Sequence, residues 1–271
     1  DGVGDSAGPF ELMLEWPFFF ARYWAKTRIS LMTDQHQEPP ELEERPVPVP
    51  VFNLHGAIIT LSLICIAVHL VRTLLLSNSA DNWLLLNGAF FPIRYAPQVF
   101  TLNLPTVLSP ITYAFLHGGW VHLGVNIVWL AIFGSPLAYR IGWQRSMLFW
   151  IVTAWFAAAA HLVVFFGDAV PVIGASGAVS GFMGAAARFG LRANRRDPRR
   201  GFDGPLLSIG ASLRARGVLP FLVIWIIMNV VVGVDPFGVR QGPGIAWEAH
   251  IGGLVAGFLL IPLFDRKKRP T

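Results

Sequence analysis

The chain has 271 residues, 54% of them hydrophobic and 14% charged, with a mean hydropathy of +0.54 and a formal charge of +5. A soluble domain carries roughly 25% charged residues, so this composition excludes an ordinary soluble globule and points to a lipid environment. The basic residues sit between apolar runs, which makes them topology determinants and argues against nucleic-acid binding, and the single Cys65 excludes an intrachain disulfide and reads as packing.

Residues 1–55 read as a tail or linker. They hold an aromatic cluster at Trp16–Phe20 and a Pro- and Glu-rich stretch at Glu38–Pro50 that favours extended chain. The segment Phe10–Trp24, flanked by Arg22, Lys26 and Arg28, suits the membrane surface. No cleavable signal pattern precedes the first span.

Six transmembrane spans follow, at about 56–76, 118–139, 146–166, 176–191, 217–234 and 247–264, each read as a charge-free run at helical length. The predicted fold is therefore an all-α, polytopic six-helix bundle over 56–264, ending in a basic tail at 265–271. The fourth span is short and rich in Gly and Ala, which suits a helix surrounded by other helices.

Lysine and arginine counts set the orientation. Arg140 and Arg145 follow span two, Arg192 to Arg216 follow span four, and Arg266 to Arg269 follow span six, whereas the opposite loops carry Arg94 and Arg240. Both termini are expected in the cytoplasm, and the loops at 77–117, 167–175 and 235–246 on the other side.

Polar side chains are costly in hydrocarbon, so those within the spans are candidates for function. Ser176, in Gly174-Ala175-Ser176-Gly177, opens span four. Small neighbours leave room for a substrate backbone, and a helix N-terminus offers free N–H groups to a developing oxyanion. Equally, such a serine serves as a helix N-cap. His250 precedes Gly253 and Gly257 on nearly one helix face of span six, so it points into a tight helix contact. Against span four it reaches Ser176 as a general base; elsewhere it is a structural histidine bonding a carbonyl. His122 and Asn126, one turn apart in span two, suit either an oxyanion site together with the Ser176 N–H or simple interhelical bonding.

These three clusters, His122-Leu-Gly-Val-Asn126, Gly174-Ala175-Ser176-Gly177 and His250-Ile-Gly-Gly253-Leu-Val-Ala-Gly257, resemble the rhomboid family of intramembrane serine proteases across about residues 56–264. The resemblance implies a catalytic dyad of Ser176 and His250, an oxyanion site at His122, Asn126 and Ser176, and site-shaping glycines at 174, 177, 253 and 257. It also implies transmembrane-protein substrates in a bilayer, a lateral entrance near span five and a flexible cap at 235–246. Neither a cofactor nor a metal is implied, and the histidines lack compact zinc-ligand spacing.

The chain departs from the family at three places. Ser180 stands where relatives often stack an aromatic ring on the catalytic histidine, Ala138 stands where an acidic residue is common, and the first external loop lacks a Trp-Arg pair. Glu248, two residues from His250, faces elsewhere and is not expected to complete a triad. His117, with His122 and Tyr113, is expected to line a water-accessible mouth, and His69 and His161 to be polar packing residues. A catalytically silent client-binding relative would lack Ser176 or His250; a transporter would show repeated halves or buried charge, and the six cores are read as free of acidic residues. Six spans without a presequence suit a bacterial inner membrane.

Overall fold

A computed structural model describes residues 53–194, 197–234 and 244–265. Most of the N-terminal tail, most of the 235–246 cap and the basic C-terminal tail lie outside the described residues. Within them the chain forms nine α-helices: α1 (Gly56–Leu75), α2 (Asn78–Gly88), α3 (Leu104–Thr112), α4 (Trp120–Ile141), α5 (Trp143–Val164), α6 (Ser176–Arg188), α7 (Ile209–Arg214), α8 (Val218–Val234) and α9 (Trp247–Phe264). Two isolated antiparallel bridges, Phe90 with Val172 and Ala193 with Phe202, are the extended pairings among the described residues.

Helices α1, α4, α5 and α9 are long and apolar enough to cross a membrane, and α8 is a shorter apolar helix. Leu74, Val163 and Leu263 lie on their outer surfaces, strongly exposed. Apolar surface of this extent is stable against lipid. Together with α6 these helices correspond to the six predicted spans, with no end displaced by more than three residues.

At 13 residues, α6 is only about 20 Å long, less than the roughly 30 Å of a bilayer core. It never meets lipid along its length: every residue from Gly177 to Arg188 is buried. The preceding loop descends to supply its N-terminus. That loop's polar backbone is paired within the protein, through the Phe90–Val172 bridge (2.9 and 3.2 Å), Ile93 N–H to Asp168 O (2.9 Å) and Gly174 N–H to Tyr113 O (3.0 Å). Non-helical backbone at membrane depth survives when its hydrogen bonds are met in this way.

Glycine decides how closely α6 and α9 approach. A Cβ at Gly253 would stand 1.9 Å from the Gly177 carbonyl oxygen, and one at Gly257 would stand 1.9 Å from that of Gly181. The matched pairs ascend together, so the helices run parallel and their N-terminal ends lie side by side. On another face of α6, a Cβ at Gly181 would strike Thr153 of α5 at 2.4 Å.

Three of the predicted spans are not free of charge. Arg188 of α6 is buried and its guanidinium donates to the Leu207 and Phe258 carbonyls (2.9 and 2.8 Å). Arg72 of α1 is buried and paired with Asp81 of α2 (2.7 Å) and the His117 carbonyl (2.8 Å). Glu248 in the first turn of α9 is buried beside His161 of α5. Hydropathy averaged over twenty residues hides one charge, and each is tolerable because a partner offsets its desolvation. Below the bundle, Arg140 joins Asp265 (2.7 Å) and the Phe202 carbonyl (2.6 Å), tying α4 to the end of α9.

The tight α6–α9 contact makes a prediction. Gly257→Ala should lower stability in detergent by about 2 kcal/mol or more through overpacking. Gly56→Ala, where an added Cβ meets nothing within 4 Å, should change it by less than about 0.5 kcal/mol. Thermal unfolding of the two variants checks the contrast.

Candidate active site

Ser176 is the first residue of α6, and the cap position is Ala175, which makes no side-chain capping bond. The N-cap reading of this serine therefore fails. Its Oγ instead lies 2.6 Å from His250 Nε2. Gly174 is required for two reasons. Its φ is +119°, outside the range of L side chains, and a Cβ there would stand 2.7 Å from His122 ring atoms and 3.6 Å from Ser176 Oγ. Gly177 lets α6 sit against Ala157, whose Cβ would be 2.6 Å from an added methyl.

His250 lies in the second turn of α9, and its Nδ1 is 2.6 Å from Asn229 Oδ1 of α8. The Asn229 amide nitrogen donates to the Trp225 carbonyl at 2.8 Å, which turns its oxygen toward the imidazole. An amide oxygen can only accept, so Nδ1 carries the ring proton. Nε2 is then left with a lone pair facing the Ser176 hydroxyl. Asn229 is the group the sequence reading missed. Its signal was present: it is the one amide side chain in an otherwise apolar α8.

Ser180 leaves no aromatic ring on α6 for His250. Its hydroxyl donates back to the Ser176 carbonyl (2.7 Å). The nearest ring contact of His250 comes from α8 instead, with the Trp225 centroid at 6.1 Å and tilted by 45°.

His122 lies over Gly174 on the other side of Ser176. The Gly118 N–H points at its Nδ1 at 3.4 Å, which assigns the proton to Nε2, the ring edge nearest Gly174. Asn126, buried one turn on, donates its amide to the His122 carbonyl at 2.8 Å and braces that turn. The structure thus brings Ser176, His250, His122 and Gly174 together, while the contact shown for Asn126 runs to its own helix.

The expected open mouth is corrected at Tyr113 and His117. Both are buried: the Tyr113 hydroxyl donates to the Ala154 carbonyl (2.9 Å), and His117 accepts from the Ala175 N–H at 3.4 Å. Each holds backbone that water would otherwise have to satisfy. Glu248 turns away from His250 as expected, and His161, read as simple packing, is its partner. His69 packs edge-on against Trp120, with ring centroids 4.5 Å apart. Among the described residues no group of three or more His, Cys, Asp or Glu side chains is arranged to hold a metal ion.

Fold and site together define a polytopic helical membrane protein with a half-buried serine–histidine pair at the N-terminal ends of two parallel helices. Residues 105–267 match the family model of the rhomboid domain. The chain is 31% identical over 162 residues to the rhomboid protease GlpG of Serratia proteamaculans (strain 568), covering 59% of this chain and 48% of that relative. It is 25% identical over 202 residues to the rhomboid protease GlpG of Yersinia pestis (strain Pestoides F), covering 74% of this chain and 60% of the relative. The chain thus spans about half the length of the curated relatives it matches. It belongs to the rhomboid family.

The Asn229 contact is testable by chemistry at the serine. Asn229→Ala should slow covalent labelling of Ser176 by a fluorophosphonate about tenfold, because the wrong imidazole tautomer then becomes accessible. Labelling rates against wild type, at matched folded fraction, measure the effect.

Proposed function

We propose that the protein is an intramembrane serine endopeptidase that cuts transmembrane segments of membrane proteins near the noncytoplasmic face, using Ser176 and His250 as a dyad. The observation that carries this reading is the 2.6 Å approach of Ser176 Oγ to His250 Nε2, with the opposite ring nitrogen held by Asn229.

Ser176 Oγ attacks the scissile carbonyl while His250 Nε2 takes its proton. The oxyanion meets the Ser176 backbone N–H at the start of α6 and the Nε2–H of His122, with Asn126 assisting from the next turn. His250 returns its proton to the leaving amine, which departs and leaves an acyl-enzyme. Water, deprotonated by the same Nε2, then releases the acid. No carboxylate is needed behind the imidazole, because the neutral Asn229 oxygen fixes the tautomer. Gly174 and Gly177, together with the α9 glycines at 253 and 257, shape a site that admits backbone and small side chains. A helical substrate hides its carbonyls in hydrogen bonds, so segments with Gly, Pro or other weak helix formers should be preferred.

Orientation follows from the arginine asymmetry. The termini are cytoplasmic, and the Ser176 end of α6 opens to the opposite side of what we read as a bacterial inner membrane. The protease unit is 56–264, and the chemistry requires no cofactor.

Two experiments test this. Purified protein in liposomes should cleave a transmembrane substrate, and Ser176→Ala and His250→Ala should each lower turnover by at least about a thousandfold; undiminished cleavage in both would sink the dyad. For topology, Asn82→Cys in α2 should react with a membrane-impermeant maleimide in spheroplasts, and Arg199→Cys only after lysis. Cys65 is buried and gives little background.

A further inference from the structure

We propose that His161 and Glu248 form a buried, net-neutral pair that positions Ser176 and His250 by tying the loop before the nucleophile to the helix that carries the base. The inference rests on the dyad reading and adds two positioning residues to it.

His161, in the last turn of α5, is 1% exposed, and Glu248, in the first turn of α9, is 4% exposed. His161 Nε2 lies 2.9 Å from the Val170 carbonyl. A carbonyl only accepts, so Nε2 carries a proton. Nδ1 faces Glu248 Oε1 in a direct hydrogen bond. Two arrangements satisfy that bond: a carboxylic acid O–H donating to a neutral ring, or an imidazolium N–H donating to a carboxylate. Both place one proton between the groups and leave the pair without net charge, which is the condition under which titratable groups are tolerated at this burial.

The position of the pair gives it a role. Val170 lies four residues before Gly174 in the loop that delivers Ser176. That loop is already fastened to Phe90 and Tyr113 through its backbone, and His161 with Glu248 extends the fastening to α9. The imidazole cannot swing, since Phe165 and Phe90 rings stand 5.0 and 6.3 Å from it.

Glu248 and His250 are two residues apart and so project about 200° apart around α9. Glu248 grips α5 and the loop, and His250 reaches Ser176 and Asn229. The rotation of α9 about its axis, and with it the placement of Nε2, is therefore fixed from opposite sides.

The test uses the full chain in detergent, with Glu248→Ala, Glu248→Gln, His161→Ala and the double Ala variant. Turnover of a transmembrane substrate is resolved into kcat and KM, and fluorophosphonate labelling of Ser176 is timed in parallel. Glu248→Ala should lower kcat and the labelling rate together by about tenfold or more, with KM changed by less than about twofold. Glu248→Gln should restore both to within about threefold of wild type, since its amide donates to Nδ1 without charge. The double variant should be no worse than Glu248→Ala alone.

A Glu248→Ala enzyme within about twofold of wild type in both rates would overturn the proposal, as would a Gln variant as impaired as Ala. If Glu248→Ala does not fold, Glu248→Met replaces it, matching Gln in length without the donor; equal kcat for Met and Gln then refutes the pair. Ser176→Ala and His250→Ala run alongside: full turnover in them refutes the dyad itself, whereas their inactivity with an unaffected Glu248→Ala refutes only the positioning pair.

Discussion

The backbone contact between α6 and α9 is the constraint on which the rest of the site depends. In lipid no hydrophobic force drives helices together, so close packing must supply the attraction. Gly253 against the Gly177 carbonyl and Gly257 against that of Gly181 bring the two backbones to a separation that any side chain would forbid. Because the helices are parallel and in register, Ser176 at the start of one faces His250 near the start of the other. The same closeness removes lipid and leaves a 2.6 Å hydrogen bond between them. The proposed placement of Ser176 below the membrane surface requires α6 to be short, and a short helix is viable only because its neighbours enclose it.

Charge inside this bundle is used as fastening. Arg72 with Asp81 and the His117 carbonyl secures the turn that leads into His122. Arg140 with Asp265 closes the opposite end of α9. That second link bears on Ala138, where the family pattern has an acidic residue. Ala138 is fully buried, and the nearby Arg140 finds its carboxylate on α9 instead. Each of these charges meets its counter-charge or a backbone carbonyl, so removing one partner would leave the other stranded at a cost of about 3–5 kcal/mol.

The spans, the glycine faces and the serine and histidine at their ends were legible in the sequence, because lipid imposes length and composition on a helix and because glycines four apart must share a face. What could not be read depended on single residues in otherwise uniform runs. Arg72, Arg188 and Glu248 vanish in an average over twenty residues, and Asn229 is a single amide in an apolar run whose role shows only with His250 beside it. Tyr113, grouped with His117 and His122, suggests an open mouth, but the Ala154 carbonyl inside the bundle claims its hydroxyl. Helix widening was equally hidden. The π turn at Leu130–Gly134 precedes Pro136, which has no N–H for the carbonyl four residues back, and the ladder adjusts one turn early.

The support for His250 has a mechanical consequence. An aromatic residue at position 180 would have tied His250 to α6, the most enclosed helix. Ser180 instead bonds its own backbone, and Asn229 and Trp225 hold the imidazole from α8. Only Val218, Leu222 and Asn229 of α8 are buried, so this helix contributes little to the core apart from its grip on His250. α8 also meets α9 at Gly233, where an added Cβ would strike Trp247 at 2.3 Å. The tautomer of His250 thus depends on a peripheral helix held close to α9 at two places one turn apart. Displacing α8 sideways would remove the Nδ1 acceptor and loosen the aim of Nε2 while the α6–α9 contact stayed intact. The proposed nucleophile is thus placed, and the proposed base oriented, by different helices, one enclosed and one facing lipid.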